Sequence, residues 1–183
     1  MPRLLPLLLL LAFLASCGSS LEFKTERYEQ GSLLILPPRD AFEDAKPGSG
    51  DIVGLELATE FAARGWQADR YEPDAKLGHA NPIQQDQAVA AGAAVGADFA
   101  LTVVLGKARD AGGFTGPISD YVWLDEATLY DCSSGRAVWT LLEPFRADSS
   151  NFAHLGPSYR GIAILLSDSI TEQAGEESMS TLD

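Results

Sequence analysis

The chain has 183 residues, and its 26 Asp and Glu against 13 Lys and Arg give a formal net charge of −13. This acidic balance excludes binding to nucleic acid or to anionic lipid head groups through a basic patch, because both are bound by clustered positive charge. After removal of a short leader, the chain is long enough for one domain of about 140 to 150 residues with a core of its own.

The N-terminus has the pattern of a bacterial lipoprotein signal. Met1–Arg3 precedes a leucine-rich segment from Leu4 to Phe13, and Leu14–Cys17 closes that segment. A charged start, a short apolar segment and small residues before a cysteine are typical of such signals. The segment is too short for a permanent membrane-spanning helix, which needs ~20 residues, so an uncleaved anchor is disfavoured. We predict cleavage between Ser16 and Cys17, with Cys17 diacylated through its sulfur.

The predicted domain organisation follows from this signal. Gly18 follows the cysteine, and resemblance to lipoproteins of two-membrane bacteria implies that a residue other than aspartate here favours the outer membrane. We expect a signal peptide over 1–16, a lipidated tether over 17–30, one α/β domain over 31–174 and a flexible acidic tail over 175–183. The acyl chains on Cys17 are then the expected membrane contact, with the domain facing the periplasm.

The first part of the domain predicts a strand and a helix. Leu33–Leu36 is apolar and is closed by Pro37-Pro38, as expected of a buried strand. Asp51 caps a predicted helix that Gly65 ends. One side of this helix is expected to carry Ile52, Leu55, Ala58 and Ala62, flanked by Val53, Leu57 and Phe61. The other side carries Glu56, Glu60 and Arg64, of which Glu60 and Arg64 are spaced for an ion pair.

A second strand, a second helix and a central strand are predicted next. Trp66–Tyr71 is the second strand, and Asn81-Pro82 supplies the cap and first-turn proline of a helix that ends at Val95-Gly96. A face made of Ala88, Ala91, Gly92 and Val95 would let this helix lie close to a sheet. Asp98–Lys107 is apolar on both sides, which is typical of a central strand.

The last part of the domain predicts a hairpin and a helix. Tyr121–Asp131 and Arg136–Arg146 are predicted as two strands joined by a turn that contains Gly135. Tyr159–Ala174 is predicted as a helix that turns Ile162, Leu165, Leu166 and Ile170 inward. The order β-α-β-α-β-β-β-α predicts an α/β domain with a mixed five-stranded sheet covered by helices.

Four segments of the domain carry a family resemblance. They are Leu33–Pro38, Gly54–Ala58, Gly96–Leu101 and the hairpin Ala127–Trp139. In this order they resemble periplasmic domains of the group that includes the curli-secretion lipoprotein CsgG, the activator lipoprotein LpoB and the amino-terminal domain of TolB. The resemblance implies a scaffold and an envelope location, and it brings no catalytic residues.

The chain also departs from this group in two respects. It lacks the alternating segments of ~9 to 11 residues that the membrane hairpins of a secretion pore require, so pore formation by that route is not expected. It also lacks the long proline-rich tether that resemblance to the synthase activators would imply. The domain is therefore expected to stay close to its membrane.

Cysteines and histidines give no catalytic or metal-binding pattern. With Cys17 lipidated, Cys132 has no cysteine left to pair with in the same chain, and we expect a half-buried, inert thiol. His79 and His154 lack ligand-like spacing, and the sequence holds no phosphate loop, GxSxG or HExxH motif. We therefore expect no enzyme activity, no metal and no cofactor.

Three functions stay open from the sequence. The first is a noncatalytic accessory or assembly factor that docks on an unidentified envelope protein through exposed aromatic residues. The candidate contacts are Phe114, Trp66, Tyr71, Phe152 and Tyr159, with burial as the alternative for each and above all for Trp66. The second is a homo-oligomeric structural lipoprotein. The third is a hydrolase or small-ligand binder with a cleft at the carboxyl ends of the parallel strands, where Arg39 and Lys107 would contact an anion.

Overall fold

The computed structural model describes residues 21–40, 49–71, 83–110, 119–147 and 158–174. Within these ranges the strands are β1 Phe23–Thr25, β2 Ser32–Ile35, β3 Arg39–Asp40, β4 Gln67–Arg70, β5 Phe99–Asp110, β6 Ser119–Asp131, β7 Ala137–Leu141 and β8 Phe145–Ala147. The helices are α1 Ser49–Ala63, α2 Gln85–Val95 and α3 Ser158–Gln173. Across the described ranges, every helix is too short or too polar to cross a membrane.

The strands of the described ranges form one mixed sheet. Six of them lie side by side in the order β1-β7-β6-β5-β2-β4, while β3 pairs with β5 and β8 pairs with β6. β2 runs parallel to β4 and β5, whereas β5, β6, β7 and β1 follow one another antiparallel. The prediction of a mixed sheet covered by helices is confirmed.

The predicted count of five strands is wrong, because three further strands are too short to show a pattern. β1 falls in residues expected to be tether, and β3 directly follows the prolines that close the first predicted strand. β8 forms separately and overlaps the end of Arg136–Arg146, which was predicted as one strand. These strands have only two or three residues each. A segment so short has no periodicity of its own, and its extended form depends on hydrogen bonds from a distant strand.

The main core lies between one face of the sheet and helices α1 and α3. Trp139 of β7 and Leu129 of β6 are fully buried in it. Helix α3 contributes the face that the sequence predicts. Its fully buried members are Ile162, Leu166 and Ile170, and Leu165 is partly buried.

Helix α1 turns a different side to this core from the one expected. Val53, Leu57 and Phe61 are fully buried, whereas Ile52 and Leu55 are 51% and 57% exposed. The buried residues are spaced four apart, so they form one row along the helix. Apolar residues occur on both candidate sides of α1, and packing against α3 and the sheet decides which side is buried. The result is an apolar pair on the outer surface of α1.

The opposite face of the sheet is covered by α2, which lies close because its inner residues are small. Ala88 and Gly92 are buried, whereas Val95, predicted to face the sheet, is 62% exposed. A methyl group on Gly92 would overlap the sulfur of Cys132. Glycine is therefore required where α2 passes over the β6–β7 turn.

The two ends of α2 are defined by different residues. Gly96 ends the helix with a φ of 74°, in the left-handed region that favours glycine, as the sequence predicts. Gln84 and Gln87 form a capping box at the start. The cap predicted at Asn81-Pro82 lies outside the described residues.

The segment before β2 packs against the domain and forms a hydrogen bond with it. Leu21 is buried, and the ring of Phe23 stacks on Trp139 with ring centres 5.5 Å apart. The hydroxyl of Tyr28 donates a hydrogen bond of 2.7 Å to the carbonyl oxygen of Ile170, and burial raises the pKa of that hydroxyl. The sequence predicts a tether up to residue 30, whereas contacts with the core already begin at Leu21.

An ion-pair network joins α1 to α3. Nε of Arg64 donates to Oδ1 of Asp168 at 2.6 Å, and Nη1 donates to Oε2 of Glu60 at 2.7 Å, which confirms the predicted Glu60–Arg64 pair. Nε of Arg160 lies 3.3 Å from Oε1 of Glu60. Glu60 is only 8% exposed. Burial lowers the pKa of Arg64, but hydrogen bonds from its guanidinium to Asp168 and Glu60, with their charges, outweigh burial and raise it.

Candidate functional site

A shallow cleft of about 570 Å³ opens at the amino ends of β2 and β5. Its walls are the segment before β2, the end of α2 and the turn between β6 and β7. The lining residues include Arg27, Gln30, Ala93, Asp98, Asp131 and Cys132. The sequence suggested a cleft at the carboxyl ends of the parallel strands, so this cleft lies at the opposite end.

Asp98 and Ser32 hold the amino ends of β5 and β2 together on one wall of the cleft. Oδ2 of Asp98 accepts hydrogen bonds from the backbone N–H and the hydroxyl of Ser32, at 2.8 and 2.7 Å. The backbone N–H of Asp98 in turn donates to the Ser32 hydroxyl oxygen at 2.9 Å. The hydrogen bonds from Ser32 hold the pKa of Asp98 below its ordinary value. Sequence reasoning missed this pair, since nothing in either segment signals a contact between positions so far apart.

The β6–β7 turn forms the other wall and is organised by Asp131. Oδ1 of Asp131 accepts hydrogen bonds from the backbone N–H groups of Ser133 and Ser134 at 2.8 and 2.9 Å. Gly135 completes the turn with a φ of 72°, as expected from its place in the sequence. Partial burial raises the pKa of Asp131, but the hydrogen bonds from Ser133 and Ser134 outweigh it, so the pKa is lowered.

Cys132 follows Asp131 in this turn and is a half-buried free thiol. Its backbone N–H donates to the carbonyl oxygen of Asp98 at 2.8 Å, and its sulfur faces Gly92 of α2. Burial, followed by the negative charges of Asp131 and Asp98, raises the pKa of the thiol. The thiolate is the nucleophile and the metal ligand, so this environment disfavours both roles.

The cleft therefore offers ionised carboxylates beside a protonated thiol. In the described residues, no group of three or more His, Cys, Asp or Glu side chains is arranged to hold a metal ion. The hydrogen bonds of Asp98 and Asp131 are made to the protein's own serines and backbone, and they define the wall and the turn. The arrangement accounts for structure at this end of the sheet and supplies no activated nucleophile.

Trp66, the first aromatic residue considered as a partner contact, is a core residue. It is 3% exposed, and its ring lies edge-on to the rings of Phe61 and Phe99, each with centres 5.7 Å away. Its Nε1 donates to the Thr171 hydroxyl oxygen at 2.9 Å. The partner-contact hypothesis is wrong for Trp66, because the ring is needed to fill the space between α1 and the sheet.

The other aromatic candidates have different positions. Tyr71 and Tyr159 are half-buried, the first packed on the α2 side of the sheet and the second on the main core. Their role as partner contacts stays a prediction. Phe114 and Phe152 lie outside the described residues.

Arg39, one of the two candidate anion contacts, is not among the residues that line the cleft. Arg39 is in β3, opposite Val104 of β5, and is 7% exposed. Burial lowers the pKa of its guanidinium. Lys107 continues β5 opposite Val122, and its side chain lies outside the described part of the structure. The burial of Arg39 argues against an open anion site at this position.

Replacement of Asp98 with alanine is expected to lower the free energy of unfolding by about 1 kcal/mol at pH 7, because two hydrogen-bond donors of Ser32 lose their acceptor. The folded-state pKa of Asp98 lies below the unfolded value of about 3.9. The stabilisation is therefore present above about pH 4 and is lost as the pH falls through the folded-state pKa. Urea unfolding of wild type and D98A at pH 7 and in acid measures the difference.

The control for this prediction is S32A, which removes the other side chain of the pair. The two substitutions together should cost less than the sum of their separate effects, because they remove the same hydrogen bond. A difference between wild type and D98A that stays constant from pH 7 into acid would contradict the prediction.

Comparison with known proteins identifies the class of fold. No family model matches this chain, and no curated protein is significantly similar to it. Among solved structures, a variant of PelC from Paraburkholderia phytofirmans, a dodecamer, has 14% identity and a TM-score of 0.56, over 86% of this chain and 100% of that one. A second PelC dodecamer has 14% identity and a TM-score of 0.52, over 86% of this chain and 99% of that one. The chain shares the fold of PelC.

A looser likeness is found with lipoprotein GNA1162 from Neisseria meningitidis. It has 16% identity and a TM-score of 0.44, over 78% of this chain and 96% of that one. A TM-score this low carries no argument about function. The resemblance to CsgG and LpoB stays a prediction from the sequence.

Proposed function

We propose that this chain is a lipid-anchored, noncatalytic envelope protein that acts as an assembly of identical copies. The observation that carries the proposal is the fold shared with PelC. PelC is a dodecamer in both solved structures, and each match covers 86% of this chain. The lipoprotein signal that ends at Leu14–Cys17 and the following Gly18 support a location at the outer membrane with the domain in the periplasm. The assembly then serves an envelope complex as an accessory or a structural layer.

The chemistry of the cleft supports a noncatalytic role. The carboxylates of Asp98 and Asp131 already accept hydrogen bonds from serines, and the raised pKa of Cys132 keeps its thiol protonated. A catalytic nucleophile needs the opposite environment, with a neighbouring base or a positive charge that stabilises the anion.

Among the described residues, the outer side of α1 is the surface best suited to contact between copies. Ile52 and Leu55 are more than half exposed there and stand three residues apart, so they lie on the same side of the helix. Apolar side chains at the centre of an interface are shielded from water when a second copy covers them, which is the usual source of binding energy in homo-oligomers. A surface with an overall negative charge makes such an apolar contact the favourable place for two copies to meet.

The wild-type protein, extracted in mild detergent and measured by native mass spectrometry, is expected to give masses of several copies. The double variant I52E/L55E should shift the population to single copies, since it places two carboxylates in each contact. Its melting temperature should stay close to that of the wild type, because both side chains are exposed in one copy.

The matched control is V95E, which places a carboxylate on another exposed apolar residue, in α2. V95E should keep the multiple-copy masses. Single copies in the wild type at every concentration tested would refute assembly and favour the alternative, an accessory that docks on an unlike partner protein. Single copies in V95E as well would show that α1 is not the specific contact.

A further inference from the structure

The link between the proposed lipid anchor and the folded domain is shorter than the tether over 17–30 that the sequence predicts. Only Gly18, Ser19 and Ser20 stand between Cys17 and Leu21, which is 7% exposed within the main core. An extended chain gains at most about 3.6 Å per residue, so the Cα atoms of Cys17 and Leu21 are at most about 14 Å apart. A domain of this size is roughly 40 Å across. The acyl chains are therefore restricted to one small area of the domain surface.

That area lies at the β1 edge of the sheet, where an exposed leucine is found. β1 is the edge strand, with Phe23 opposite Leu141 of β7. One residue further, the backbone N–H of Leu142 donates to the carbonyl oxygen of Glu22 at 2.8 Å. Leu142 directly follows β7 and is 59% exposed. It is thus a large apolar side chain held beside the first residues of the folded chain.

We propose that Leu142 enters the surface of the phospholipid bilayer beside the acyl chains of Cys17, so that the domain rests on the membrane by its β1–β7 edge. This inference rests on the lipid anchor in the proposed function. The short link argues for lipid as the occupant, because an anchored Cys17 keeps this edge within one link length of the bilayer. The flanking Glu22 and Glu143 are exposed, and their carboxylates stay in the aqueous layer and limit the depth to the head-group region.

The orientation also accounts for an exposed sheet edge. Edge strands offer unpaired backbone groups to other chains and are usually covered or blocked. With the β1 edge on the bilayer, no second strand reaches it from that side. The other edge, β4, lies across five strand spacings of about 4.8 Å each, which places it on the far side of the sheet.

The test is the depth of one added tryptophan in the lipidated protein, which also keeps its three native tryptophans. L142W and Q67W are purified with their anchor and reconstituted into phosphatidylcholine vesicles whose acyl chains carry bromine, which quenches tryptophan on contact. Gln67 is the matched control, because it is exposed and belongs to β4. Wild type supplies the background of the native tryptophans.

L142W is expected to lose fluorescence at least about two-fold more than wild type, with a blue-shifted emission, as for a side chain in the head-group region. Q67W should lose no more than wild type. Equal quenching of L142W and wild type, or of L142W and Q67W, would overturn the orientation.

Mass spectrometry of the purified protein separates failure of this inference from failure of the proposed function. A protein without acyl chains on Cys17 would refute both the anchor and the orientation. An acylated protein with an unquenched L142W would refute the orientation alone. Thermal unfolding of both variants checks that the added rings leave the fold intact.

Discussion

Replacing Cys17 with serine is expected to release the protein from the membrane fraction. A serine offers no thiol for diacylation, and the chain carries a net charge of −13, which gives it no attraction to an anionic membrane surface. Leu142 alone is too small a contact to hold the domain. We expect the membrane-bound fraction to fall by about ten-fold or more, measured by fractionation and by labelling with an alkyne palmitate.

The chain supplies its own control for this experiment. Cys132 is the other of its two cysteines, and C132S should keep both the label and the membrane location. A C17S protein that had lost its leader, as its intact mass would show, and still stayed with the membrane would refute the lipid anchor.

Replacing Arg64 with alanine is expected to lower the free energy of unfolding by about 2 to 3 kcal/mol. The substitution leaves the nearly buried Glu60 without its close partner, and removing one member of a buried pair costs more than the pair itself contributes. Arg160 remains 3.3 Å from Glu60 and is over half exposed, which reduces the loss without cancelling it. Chemical denaturation that resolves both the midpoint and the slope measures the effect.

Two further variants test the cause of this loss. D168A removes the exposed partner of Arg64, whose side chain is 51% exposed, and should cost less than about 1 kcal/mol. R64K keeps the charge but loses the planar group that reaches Glu60 and Asp168 together, so an intermediate loss is expected. Equal decreases in the free energy of unfolding for R64A and D168A would show that the buried Glu60 does not cause the loss of stability in R64A.

The features that were predicted correctly depend on local signals in the sequence. The central strand, the helix end at Gly96 and the turn at Gly135 each follow from residues within a few positions of one another. The inward face of α3 was also predictable, because its apolar residues repeat at helical spacing.

The features that were missed depend on residues far apart in the sequence. β1 is extended because β7 pairs with it, and Phe-Lys-Thr alone shows no strand pattern. The buried side of α1 is selected by α3 and the sheet, so Ile52 and Leu55 face outward although they are as apolar as the residues that are buried. At the cleft, the contact of Asp98 with Ser32 exists only once β2 and β5 are neighbours.

The partners of β1 and of the segment after it lie late in the sequence, which sets an order for folding. Thr25 pairs with Trp139, and Tyr28 is fastened to Ile170, both more than a hundred residues later. The start of the described chain therefore has no partner to dock on until almost the whole domain has been synthesised. Closing such long loops costs conformational entropy, so pairing of β1 and docking of Tyr28 are expected among the last steps of folding.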